Sequence, residues 1–152
     1  MDIDEIVDGK VDPEDLKKYR QAYEAQVQRG EPSAVAAFTY AHGLIHGHDR
    51  NARMGISLLE ELLRKEEEDI ARRDYVYYLA VAHTRMKEFD RAMQYVDILL
   101  QAESHNRQAA DLKALIEKRM RNNGLLGAAI LGGGIAVIGG LVIAGIAAAA
   151  RK

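Results

Sequence analysis

Apolar side chains return every three or four residues through most of this chain, and no stretch alternates with the period of two that a strand would need. Six helices follow from that rhythm. Asp12 and Pro13 open the first, Asp as a cap and Pro at a first helical position. Leu16, Tyr19, Tyr23 and Val27 then mark its apolar face, and Gly30 with Pro32 closes it. A second helix is predicted over Ser33 to His46, before Gly47. A third covers Asn51 to Lys65, with Gly55, Leu58, Leu59, Leu62 and Leu63 on one face. The fourth, Ile70 to Met86, has two apolar stripes: Tyr75, Tyr78, Leu79, Ala82 and Met86, then Tyr77 and Val81 continuing to Thr84 and Arg85. Such a helix packs on two sides or lines a groove. The fifth carries Phe89, Ala92, Met93, Val96, Leu99 and Leu100. The sixth, Ser104 to Arg121, carries Ala109, Leu112, Ile116 and Met120. Residues 1–11 are short and acidic, and they read as an arm rather than a helix.

The rhythm changes at Leu125. From there to Ala150 run 26 residues without a charge. A helix crosses a bilayer with roughly 20 apolar residues, whereas a buried core helix is usually shorter. The glycines of this stretch lack the Lys and Ser or Thr of a phosphate loop, and they lack the preceding strand of a dinucleotide site. The expected element is a C-terminal transmembrane helix, inserted after synthesis, that leaves the body in the cytosol. Ala128, Gly132, Ala136, Gly140, Ala144 and Ala148 recur every four residues, a small-residue ridge that lets two helices approach in lipid. Two readings stand for a segment in contact with the lipid bilayer: a homo-oligomer packed through that ridge, or a weakly hydrophobic anchor that is merely rich in Ala and Gly.

Charge and chemistry narrow the function classes. Without Arg151 and Lys152 the chain has 19 basic residues against 23 acidic ones, which argues against a nucleic-acid surface. It has no Cys, and its acidic start is neither a signal peptide nor a transit peptide. Glu66, Glu67, Glu68 and Asp69 read as a solvated turn that also favours the next helix's N-terminus. Glu60 and Glu61 point to different faces of a helix, and the three serines are caps or helix-face residues. No catalytic constellation emerges, hence no enzyme, small-molecule substrate or cofactor is expected. His42 and His46 share a face at a metal-ligand spacing. Gly43 stands where a zinc helix carries Glu, however, and His48 falls beyond the Gly47 stop, so no metal site is expected.

Part of the pattern repeats. Residues 55–63 align with 92–100, and Ala41 aligns with Ala80, at offsets of 37 and 39. Small residues where paired helices cross, at about this period, suit two degenerate tetratricopeptide-like repeats, with the first and sixth helices as caps. In such repeats the first helix of each unit lines one side. That places Phe38, His42 and Ile45 on one row and Tyr77, Val81 and Arg85 on the next, with Leu44 and Tyr78 beside them. Aromatics with an Arg suit a partner-binding groove. The chain thus divides into an arm (1–11), a helical domain (12–122) and a membrane anchor (123–152).

Five stretches carry a family resemblance: LLEELL at 58–63, RDYVYYLAV at 73–81, RMKEFDRAMQYV at 85–96, the Leu pair before Gln101, and NGLLGAAILGG at 123–133. Together, in this order, they resemble the mitochondrial fission 1 family. The resemblance implies an all-α six-helix bundle on a single-pass tail anchor, with its groove facing the cytosol. It also implies a non-catalytic adaptor that recruits a dynamin-related GTPase, directly or through adaptor proteins, to the mitochondrial outer membrane and to peroxisomes. Arg151 and Lys152, with the basic residues before the span, become targeting residues in that reading. In some members the arm lies in the groove and regulates access. This arm matches poorly, and His42, Gly43, His46 and Ser104 are departures. The alternative is a tail-anchored tetratricopeptide receptor for chaperones or import substrates, against which the groove row offers one clear cation, Arg85.

Overall fold

The computed structural model describes residues 2–124. The ridge positions Ala128, Gly132, Ala136, Gly140 and Ala144, and the basic pair Arg151 and Lys152, lie outside them. No helix among the described residues is long and apolar enough to cross a membrane.

Those residues form seven helices and no strand. They are α1 (Ile3–Asp8), α2 (Pro13–Val27), α3 (Ala34–Ile45), α4 (Asp49–Lys65), α5 (Asp69–Arg85), α6 (Phe89–Ala102) and α7 (Arg107–Asn122). The expected six become seven because the arm is helical. Six residues are too few to hold a helix in water by themselves. Packing supplies the difference: Ile3, Ile6 and Val7 fall at helical spacing, Val7 is fully buried, and α1 rests on α5 and α7. Three of the other starts are set by side-chain caps. Asp12 accepts from the Glu14 amide at 2.8 Å and Ser33 from the Ala36 amide at 3.1 Å. The last helix starts at Arg107 rather than near Ser104 because Asn106 caps it, accepting from the Ala109 amide at 3.0 Å.

Two helix pairs, α3 with α4 and α5 with α6, form the repeats. Each pair crosses on small residues. Ala41, Ala80 and Ala92 are fully buried, and Gly55 occupies the position equivalent to Ala92. A Cβ on Gly55 would stand 2.9 Å from the Ala41 carbonyl oxygen and 2.7 Å from Cγ2 of Ile45. Glycine is what lets α3 and α4 touch. The helix α2 covers α3 and α7 covers α6, as end caps should. Leu59, Leu79, Leu99 and Leu112 fill the interior with almost no exposure, each worth about 1.5–3 kcal/mol of burial.

A polar knot joins the two units. His83 is 4% exposed, and its Nδ1 lies 2.8 Å from Glu88 Oε1. Arg53 of α4 grips the same carboxylate with bonds of 3.0 and 2.9 Å. Burial depresses the His83 pKa more than Glu88 lifts it, so at neutral pH a neutral ring donates to a carboxylate. Burial would raise Glu88, but hydrogen bonds from Arg53 and His83 bring it below the usual value.

Two outcomes follow for the full chain in uncharged micelles. Gly55→Ala gains up to about 1 kcal/mol of helix propensity but overpacks against backbone, a cost of about 1–3 kcal/mol. A net loss near 1–2 kcal/mol should lower the urea midpoint without changing the slope. The second outcome is a pH dependence. His42 and His83 both titrate below 6.5 in the fold. The unfolded chain then binds their protons first. Their contribution to stability is complete above pH 6.5 and is lost as pH falls below it. Urea midpoints should drop from about pH 7.5 to about pH 5, and His83→Gln should flatten that drop.

Candidate partner-binding groove

The first helices of the pairs, α3 and α5, face one side together with α7. There the rings of α3 and α5 interlock. Phe38 lies 5.5 Å from Tyr78 and 5.8 Å from Tyr75, ring centre to ring centre. His42 lies 5.0 Å from Tyr78, edge-on, and 4.7 Å from His46. Phe38, His42 and Tyr78 are half-buried, so each offers part of a ring to solvent. Burial lowers the His42 pKa and His46 lowers it further. Burial raises the Tyr78 hydroxyl, with a smaller push from Asp74.

The other expected groove positions sit differently. Ile45 is fully buried because it fills the space that Gly55 leaves open on α4, and Leu44 is 3% exposed. Val81 is fully buried in the core. Tyr77 is 7% exposed, edge-on to Tyr78 at 5.2 Å; burial pushes its hydroxyl up to about 12. One step along a helix turns the side chain by about 100°, so the exposed row of α5 runs through Tyr78 instead of Tyr77. Tyr75, 5% exposed, is a core residue packed under Phe38, as its place in the first apolar stripe of that helix implies.

Arg85 plays a part that residue spacing could not show. Its Nη1 donates to the carbonyls of Val7 at 3.0 Å and Gly9 at 2.9 Å. Its Nη2 donates to the carbonyls of His46 at 3.4 Å and Gly47 at 3.2 Å. The cation therefore binds the end of α1 to the end of α3. His46 adds a second tie. Its Nε2 lies 2.8 Å from the Ile6 carbonyl and its Nδ1 lies 2.9 Å from the His42 carbonyl. A neutral ring can donate only one of these bonds at a time. Both ring nitrogens of His46 thus face backbone carbonyl oxygens. Gly9 must be glycine here, since a Cβ would meet the Glu5 carbonyl oxygen at 2.6 Å. At the far side, Arg119 of α7 reaches Asp8 at 2.6 Å and Asp4 at 3.2 Å. A cleft of about 480 Å³ remains between α1 and α2, bordered by Ile6, Tyr19, His42 and Tyr78.

These ties differ in weight. The Asp4 and Asp8 side chains are more than half exposed, and exposed pairs contribute up to about 1 kcal/mol. Bonds from a partly buried guanidinium are worth about 1.5–3 kcal/mol each. Arg85→Gln should therefore cut amide-exchange protection in residues 3–9 by at least about tenfold, since a tenfold change is 1.4 kcal/mol. Asp8→Asn should cut it by less than about fivefold. Exchange mass spectrometry on the full chain checks both.

Comparison with known proteins meets the same architecture. The family described as Fis1 C-terminal tetratricopeptide repeat matches residues 73–125. The chain is 45% identical over 143 residues to FIS1-related protein fis-2 of Caenorhabditis elegans, covering 93% of this chain and 95% of that one. It is 41% identical over 141 residues to human mitochondrial fission 1 protein, covering 90% and 92%. Among solved structures it is similar to yeast Fis1 in complex with an Mdv1 fragment, with a TM-score of 0.72 and 26% identity over 82% of this chain and 95% of that chain. Fis1 from Saccharomyces cerevisiae, determined in crystals, matches with the same TM-score at 25% identity, covering 85% and 98%. The extent of these matches settles the family: the chain belongs to the mitochondrial fission 1 proteins.

Proposed function

We propose that this protein is an adaptor for organelle fission, held in the mitochondrial outer membrane by residues 123–152 with its helical body in the cytosol. Its groove recruits a dynamin-related GTPase, either directly or through an adaptor protein, to mitochondria and also to peroxisomes. The observation that carries this reading is the half-exposed ring cluster of Phe38, His42 and Tyr78, which bridges the two repeats. A helix of the chain itself, α1, already lies beside that cluster, so this side of the molecule has the chemistry to hold a helix. The similar yeast protein was captured with an Mdv1 fragment, which supports an adaptor role over catalysis. In the same proposal Ala128, Gly132, Ala136, Gly140 and Ala144 pack anchor helices together, and Arg151 and Lys152 direct targeting.

The receptor alternative needs cations free to hold a peptide carboxylate. Arg85 is bound to four carbonyl oxygens, which weighs against it.

The test is mitochondrial network length in cells expressing the full chain or its Phe38→Ala, Tyr78→Asp double variant. Both should coat mitochondria. The wild type should change network length, and the double variant should lose most of that effect. Equal effects from both would remove the groove from the mechanism.

A further inference from the structure

The end of the groove formed by the first turns of α3 and α5 lies beyond α1, and it exposes large aliphatic side chains. Val35 is 76% exposed and Ile70 67%. A cleft of about 310 Å³ between the two helices is floored by Val35, Phe38 and Tyr75 and carries Glu66, Glu68 and Asp74. A second, of about 240 Å³, is lined by Ile70, Asp74, Tyr77 and Glu103. Asp74 belongs to both, so the clefts are halves of one surface. An apolar floor with an acidic border results.

The charge there is one-sided. Residues 66–69 are all acidic, and Asp74 and Glu103 join them. Two cations stand among them, and both are engaged. Arg73 pairs with Glu103 at 3.4 Å, and Arg72 donates to the Glu66 carbonyl at 3.2 Å. The groups respond to this field. Burial raises the Asp74 carboxyl and Glu103 raises it further. The Tyr75 hydroxyl is raised by burial, then by Glu66 and Asp74. A separate observation also points to a ligand. Tyr77 is 7% exposed, and its hydroxyl is buried with no hydrogen-bond partner. An unpaired buried hydroxyl costs about 1–3 kcal/mol, which a ligand donor or acceptor arriving in that cleft would relieve.

We propose that this end of the groove seats a basic amphipathic helix from a partner protein. Its aliphatic side chains lie on Val35, Phe38 and Ile70, and its lysine or arginine side chains lie on Glu66, Glu68 and Asp74. The acidic run is then a selectivity border for the groove as well as a solvated turn. This inference rests on the adaptor reading and adds the chemistry of the partner. Charge complementarity fixes the sign of the helix, and the helix-in-groove mode fixes the spacing of its apolar anchors.

The probes are three synthetic helices with the same leucine face and with lysine, glutamate or glutamine elsewhere. Fluorescence anisotropy reports their binding to the full chain in uncharged maltoside micelles, with empty micelles as the blank. The lysine helix should bind at least about tenfold more tightly than the glutamate helix, and added salt should weaken it. The Glu68→Lys, Asp74→Lys variant should lose that preference while keeping its helical content; Glu68→Gln, Asp74→Asn serves as the milder pair. Equal binding of all three helices would overturn the charge assignment and leave the groove standing. A preference that survives in both variants would place the acidic border elsewhere and overturn the site. No binding by any helix, also after deletion of residues 2–8, would overturn the inference outright. The organelle phenotype of the Phe38 and Tyr78 variant decides the adaptor reading separately in every case.

Discussion

One guanidinium holds the groove side of this molecule together. Arg85 spends its donors on four carbonyls from two distant segments, Val7 and Gly9 at the end of α1, and His46 and Gly47 past the end of α3. Carbonyls at a helix C-terminus have no partner within their own helix, and a cation there also meets the negative end of the helix dipole. Satisfying two helix ends with one planar fork ties α3 to α5 across the repeat boundary. It also fixes where α1 can lie. A lysine, a point charge with three donors, could not span the same four acceptors.

That tie works on a frame already set by small residues. Gly55 brings α4 against α3, and Ala80 and Ala92 do the same for α5 and α6. With both pairs closely packed, α3 and α5 turn the same face outward, and Phe38, His42 and Tyr78 meet as one aromatic surface over the buried Tyr75. The polar knot of Arg53, Glu88 and His83 joins the units beside the last turn of α5. The groove is therefore a product of repeat geometry, and its two ends differ. One end is occupied by α1 under Arg85 and His46. The other end presents exposed aliphatic side chains beside carboxylates.

Much of this was legible in the residues alone. Helix periodicity located six helices because their apolar positions repeat over many turns, and the caps Asp12 and Ser33 fixed two starts. The alignment of Gly55 with Ala92 marked the crossings before any packing was seen. What was not legible is equally physical. The helix α1 is too short for periodicity to register, and it exists because Val7 finds a buried seat on residues some seventy positions away. The offset between Tyr77 and Tyr78 is a rotation of a single position, below the resolution of a pattern argument. Ile45 reads as a groove residue until Gly55 is seen to open a space for it. Arg85 reads as a free cation because backbone acceptors leave no mark in a sequence.

The central claim is that a fission partner docks on the face shared by α3 and α5. Photo-crosslinking on intact mitochondria tests it most directly. A benzophenone side chain would be placed in the full chain at Val35 or at Met54, which is 49% exposed on α4. Both sites are exposed and apolar, but only Val35 lies in the groove. Mass spectrometry should identify a dynamin-related GTPase or one of its adaptors in adducts from position 35 and not in those from position 54. Adducts with that machinery from position 54 alone would contradict the account.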